Sequence, residues 1–148
     1  MILRYSNLTL IDTPKATADA QSIHNRVTAE GRWIRQTSGG ADCFAIVELV
    51  IEPLAAEGVW FVNSLSNLTA IFAPYPLLET DCDRVNGCID GIVVGLREAL
   101  VERALTGKNL NGLKISLTRM RMHTVDSSPR CFRIAAKIAM SDALAGAD

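Results

Sequence analysis

The sequence predicts an α+β two-layer sandwich, with helices packed on one face of a mainly antiparallel sheet. Three observations carry that reading. A strand–turn–strand pattern fills residues 27–51, an apolar stripe at helical spacing runs from Val85 to Leu105, and a strand followed by a capped helix fills residues 113–144. The 148 residues are 49% apolar and 21% charged, which suits one compact domain burying about two-thirds of the surface its unfolded chain exposes.

Each element has its own signal. Residues 1–12 alternate loosely through Ile2, Leu3, Tyr5, Leu8 and Leu10 and read as extended chain, and Pro14 to Ser22 is a small, polar connection. Val27 to Gln36 carries β-formers on alternate positions. Thr37-Ser38-Gly39-Gly40-Ala41-Asp42 is turn chemistry, and Cys43 to Ile51 has the β-branched density of a buried strand, closed by Pro53. Residues 64–88 are the least regular: Ser64 to Ile71 reads as a short helix, followed by an excursion in which Pro74 and Pro76 forbid a regular helix. Glu79, Asp81 and Asp83 make it locally acidic.

From Val85 the period changes. Val85, Ile89, Ile92, Val93, Leu96, Ala99, Leu100 and Ala104 form one stripe, Arg97, Glu98, Glu102 and Arg103 take the other faces, and Gly107 is a natural residue just past the helix end. Leu113, Ile115 and Leu117 alternate with Lys114, Ser116 and Thr118 as a half-buried strand. Ser128 before Pro129 is a helix N-cap with proline at the first helical position, opening a helix to about Leu144. The order read is strand, strand, helix, strand, helix.

Charge and cysteine usage narrow the function classes. Fifteen Lys and Arg against sixteen Asp and Glu give a net charge of −1, which excludes an overall polycation and leaves a local basic patch open. The longest apolar run, Phe44 to Ile51, is broken by Glu48 and falls well short of the roughly 20 residues a bilayer span needs. The first residues lack the basic and apolar regions of a secretory signal, so a cytoplasmic protein is expected. Cys43, Cys82, Cys88 and Cys131 match no metal-ligand spacing, so no metal site and four free, mostly buried thiols in a reducing compartment are expected. No GxxxxGK[ST] phosphate loop occurs, and no cofactor is implied.

Two stretches have a more specific look. Gly31-Arg32-Trp33-Ile34-Arg35-Gln36-Thr37-Ser38-Gly39-Gly40 resembles the opening of domain IV of translation elongation factor G, where a strand ends in Arg-Gln and turns through Gly-Gly. His123-Thr124-Val125-Asp126-Ser127-Ser128, followed by Phe132-Arg133-Ile134-Ala135-Ala136, resembles the loop and final helix of the same domain. Phe61-Val62-Asn63 and Ile89 to Ala99 match between them, in order, so the resemblance spans about residues 27–143, with residues 1–22 as an N-terminal extension and 64–88 as an unmatched excursion. It implies a ribosomal protein S5 domain 2-like sandwich with a left-handed βαβ crossover. It also implies a non-catalytic, free-standing domain without the GTPase, whose parent reaches the ribosomal decoding centre with loops at one tip.

The sequence departs from that family in both loops. Ala41-Asp42-Cys43-Phe44 stands where the family usually carries Arg-Gly-Gln-Tyr, and Val94 replaces a Lys before the helix glycine. In the second loop Arg119-Met120-Arg121-Met122 replaces an Asp-Gly-Ser run, His123 is kept, and Thr124 stands for an Asp. The second loop is therefore the more basic, which favours phosphate contact.

The candidate RNA- or ribosome-binding residues are Arg119, Arg121, His123, Arg35, Gly39 and Gly40. Each has a structural alternative. Arg119 and Arg121 should project on one side of a strand with Met120 and Met122 on the other, either as phosphate contacts or as an ordinary solvated strand end. His123 either stacks on RNA bases or anchors its own loop. Gly39-Gly40 is turn chemistry before it is a phosphate cradle, with Asp42 beside it. Asp126, Ser127 and Ser128 cluster near His123 but order a loop and cap a helix, since a nucleophilic triad draws its members from separate segments. Trp33, Trp60 and Phe61 fit a sheet or core, and His24 an exposed surface. The reading that results is an accessory domain binding ribosome or structured RNA through residues 37–43 and 118–125. The alternative is a protein-interaction or structural module that kept the fold and lost RNA binding, with a protein partner at 64–88. Oligomeric state is open.

Overall fold

The protein is described from a computed structural model, covering residues 2–14, 23–36, 42–108 and 110–145. Gly39 and Gly40, and with them most of the first tip loop, lie outside the described residues. The elements are β1 (Thr9–Leu10), β2 (Val27–Arg35), β3 (Cys43–Pro53), β4 (Val59–Asn63), α1 (Cys82–Leu105), β5 (Leu113–Met122) and α2 (Pro129–Ala145). The sheet order is β1-β4-β5-β3-β2, antiparallel except for β4 and β5, which run parallel as the two arms of a β–α–β crossover through α1. Both helices share one core with the sheet, in which Phe61, Leu49, Ile115, Ile89, Leu96 and Phe132 are fully buried.

The α+β sandwich expected from the pattern is the one observed, with three adjustments. The five-residue β4 is absent from the predicted strand–helix order; it is too short for alternation to declare itself, yet Val59 and Phe61 are core residues. Helix α1 begins at Cys82, so the irregular stretch ends at Asp81. The short helix read over Ser64 to Ile71 is only a 3-10 turn at Leu68–Ala70.

That irregular stretch is sewn onto the sheet. Where β4 ends, the Ser64 N–H donates to the Leu117 carbonyl, and further along the Met122 N–H donates to the Ile71 carbonyl at 2.7 Å. Residues 64–73 thus cover the edge of β5 that β4 leaves bare, with Ile71 and Phe72 buried in the core.

Strand β5 changes face partway along. Leu113, Ile115 and Leu117 point into the core, and so do Met120 and Met122, two positions of opposite parity. The register explains it: Leu49 pairs with Leu117 but Glu48 pairs with Arg119, leaving Thr118 as the extra residue of a bulge. The Thr118 hydroxyl lies 2.9 Å from the Glu48 carboxylate. Uninterrupted alternation from Leu113 would have turned Arg119 and Arg121 into the core; the bulge turns them onto the open face.

At two successive turns of α1 the helices meet backbone to backbone. A Cβ at Gly91 would stand 2.3 Å from the Pro129 carbonyl oxygen, and one at Gly95 2.3 Å from that of Arg133. Only glycine permits that approach. On the outer rim of this seam Lys137 reaches Glu102 at 2.7 Å and Glu98 at 3.6 Å, and the hydrogen bond to Glu102 holds its ammonium pKa above the usual lysine range. Helix α1 closes as its sequence predicts: Gly107 has φ +78°, its N–H bonds to the Ala104 carbonyl, and the Lys108 N–H bonds to that of Arg103.

The N-terminal segment docks on α1. Asn86 receives the Arg4 N–H at 2.8 Å and donates to the Ile2 carbonyl, Arg4 pairs with Asp90, and the Tyr5 hydroxyl donates to Asp90 at 2.7 Å. Burial and that hydrogen bond push the Tyr5 phenol up to about 12.

The expectation of four free thiols is corrected. Cys43 and Cys131 are both buried and joined as a disulfide with Cα atoms 5.5 Å apart; Cys82 and Cys88 are free. Linear spacing gives no warning because the partners are 88 residues apart and meet only when the first residue of β3 lies under the first turn of α2. Burial raises the Cys88 thiol to about 12.

Candidate nucleic-acid interface

The register brings the second tip loop beside the first. Arg35 pairs with Cys43 at the mouth of the β2–β3 hairpin, and Met122, the last residue of β5, pairs with Ala45. The chain leaving β5 therefore turns back over the start of β3, and the Cys43–Cys131 bond ties helix α2 to the same corner.

The loop of residues 123–128 is built inward from its backbone. The His123 N–H donates to Ser127 Oγ at 2.8 Å, and Ser127 Oγ donates to the Phe44 carbonyl at 2.6 Å, so one buried hydroxyl bridges loop and hairpin. The N–H groups of Val125 and Asp126 both donate to His123 Nδ1 at 3.1 Å. With two donors aimed at it, Nδ1 is an acceptor, which puts the proton of the neutral ring on Nε2. The imidazole lies 6.0 Å from the Phe44 ring, centroid to centroid, and its side chain stays 41% exposed. Of the two roles weighed for His123, loop anchoring is observed at Nδ1. Asp126, at 3.5 Å from Nδ1, belongs to the same turn, and Ser128 caps α2 through the Cys131 N–H.

Sequence reasoning missed the residue that holds this loop. Arg84, in the first turn of α1, donates to the carbonyls of His123 and Ser127, each at 3.1 Å, and to that of Thr124. Its guanidinium also sits 5.8 Å from the Phe72 ring, which links the loop to the covering segment. Five fixed donors suit a fan of carbonyls in a way no lysine would. Carbonyls leave no mark in a sequence, and the distance in chain is 39 to 43 residues, so no pattern pointed to it.

The candidate arginines divide. Arg119 and Arg121 project from the open face and Met120 and Met122 into the core, as alternation predicts. Arg121 is half-buried and donates through Nη2 to the Ala73 carbonyl at 3.1 Å, while its Nε is buried with no partner. Arg119 is exposed. Arg35 shares the parity of the helix-facing Ala29 and Trp33, with its guanidinium 5.9 Å from the Trp33 ring. It therefore lies at the same end of the sheet as Arg119 and Arg121 but on the other face, so these residues do not form one patch. Asp42 is exposed beside the hairpin mouth, and His24 is exposed as expected. Among the described residues no group of three or more His, Cys, Asp or Glu could hold a metal, and no helix is long and apolar enough to cross a membrane.

Two comparisons bear on this architecture. The family model for elongation factor G, domain IV, matches residues 80–148, which include α1, β5, the 123–128 loop and α2. A crystal structure of a protein from Thermus thermophilus superposes with a TM-score of 0.65 at 24% identity, covering 86% of this chain and 17% of that one. That likeness is one of fold, and the chain spans under a fifth of that protein's length. The strand order, the crossover through α1 and the match over the second half converge on one description: this chain has the elongation factor G domain IV-like, ribosomal protein S5 domain 2-like fold.

Proposed function

We propose that the domain binds ribosomal or other structured RNA through the end of the sheet where the 123–128 loop meets the β2–β3 hairpin. The observation that carries this reading is the pre-ordered second loop. Arg84, Ser127 and His123 Nδ1 satisfy its backbone internally, which leaves the half-exposed His123 ring and the exposed Arg119 for a ligand. A loop already ordered loses little conformational freedom when RNA docks. Arg119 and Arg35 contact phosphates from the two faces of the tip, Arg121 adds the donor it does not spend on Ala73, and Gly39 and Gly40 join the candidate set on the sequence alone. No nucleotide or metal takes part, and the site of action is the cytoplasm.

Few cations make a weak, salt-sensitive contact: each phosphate neutralised changes affinity about three-fold between roughly 50 and 200 mM salt. The test is co-sedimentation of the full chain with 70S ribosomes at those two salts, beside an Arg35→Ala/Arg119→Ala variant, neither side chain of which bonds to backbone among the described residues. Salt-sensitive pelleting that the variant loses is the expected result. No pelleting at either salt overturns the reading and sends attention to the exposed Tyr75 and Leu78, just beyond the covering segment, as a protein contact.

A further inference from the structure

We infer that the chain forms a two-fold homodimer by antiparallel pairing of β2 with β2 of a second copy, continuing the sheet and setting the two α2 helices side by side. Strand β2 ends the sheet, and among the described residues nothing pairs with its outer edge over nine residues. An unpaired edge of that length is a template for another strand. Most edges carry lysine, proline or a bulge to prevent this; β2, with the sequence VTAEGRWIR and an unbroken register against β3, has none of them.

The sequence of the edge is complementary to itself. A two-fold axis through Gly31 sets Glu30 opposite Arg32 of the second copy, twice, and sets Trp33 beside Ala29, large against small. Within one chain Glu30 and Arg32 hold each other only as an exposed pair at 3.1 Å on the open face. In the dimer each gains a cross-strand partner of opposite sign.

The helix layer obeys the same symmetry, from independent residues. Arg133 and Lys137 turn toward Glu98 and Glu102 of α1, while Ala135 and Ala139 lie over Gly31. That leaves Ile134, Ile138 and Asp142, spaced every four residues, on the side of α2 that turns from α1 toward the β2 edge. Asp142 is exposed and the two isoleucines are half-buried. Antiparallel packing of two such ridges sets Ile134 against Ile138, with its centre midway between the isoleucines. Gly31 lies under Ala135 and Ala139, so the helix centre and the strand centre fall on one axis. Two self-complementary patterns on different elements, sharing an axis, identify the partner as a second copy.

The experiment is sedimentation equilibrium of the full chain and of two single variants, Glu30→Arg and Arg32→Glu. Wild type should sediment at twice 16.0 kDa. Each variant alone sets like charges across the axis and should raise the dimer dissociation constant at least about tenfold. An equimolar mixture should restore dimers, because one chain then carries two cations in the pairing row and the other two anions. Both residues are exposed, and circular dichroism checks that each variant is folded. Wild type remaining monomeric at about 100 µM overturns the inference, as does a dimer that both variants leave unchanged; Ile138→Asp, which spares the strand, must weaken the dimer as well. None of the three substitutions touches the tip, so this outcome is independent of ribosome pelleting.

Discussion

Arg84 and Arg119 carry the same charge beside the same loop, yet they answer to different chemistry. Arg84 faces three backbone carbonyls and an aromatic ring beneath the loop; Arg119 faces solvent beside it. Arg121 stands between, with one donor on Ala73 and part of its side chain buried. Counting cations in a sequence treats the three alike. The structure separates those that build the surface from those that present it, and the separation follows from where carbonyls are left unpaired by turns.

The sharpest way to break the built side is covalent. Replacing Cys43 and Cys131 together by Ser should lower stability by about 2–4 kcal/mol in a urea titration, since the bond closes a long loop at the base of both tip segments. Unfolded without reductant, the native chain should take up two alkyl groups by mass spectrometry, and four after reduction. Next in size is Arg84→Ala, which strands three carbonyls. It should cost about 2–3 kcal/mol and speed amide exchange at Val125 and Asp126 well before β3 is affected.

Ser127→Ala removes one hydroxyl from two partners, the His123 N–H and the Phe44 carbonyl. About 1–2 kcal/mol should be lost in the same titration. Arg119→Ala sharpens the contrast from the other side. Its stability should stay within about 0.5 kcal/mol of wild type, while the slope of log affinity against log salt for ribosomes should fall by about 0.9. A stability loss at Arg119 comparable to that at Arg84 would erase the distinction.

What the sequence disclosed follows the same division. Periodicity announced the β2–β3 hairpin and both helices, and the Ser128-Pro129 and Gly107 signals fixed two helix ends, because those features are local. The face change in β5 is also written there: Leu113, Ile115 and Leu117 have one parity and Met120 and Met122 the other. Reading the two alternations separately places the arginines correctly while leaving the bulge at Thr118 unnoticed. The disulfide, the Arg84 clamp and the anchoring of residues 64–73 along β5 depend on contacts across 39 to 88 residues, often to backbone atoms that every residue shares. Such contacts have no signature in one sequence. Asp90 and Asn86, polar residues on the stripe-bearing helix, are the nearest thing to a clue, and they mark where the N-terminal segment docks.

The glycine contacts between α1 and α2 have a mechanical side. Side chains at a helix interface act as springs, because each can change rotamer under load. At Gly91 and Gly95 no such spring exists: peptide group bears on peptide group at two successive turns. A force delivered to the start of α2 at Pro129, directly behind the tip loop, passes into α1 with almost no give. The two helices should therefore resist sliding past each other at that line more than a seam packed only through side chains would.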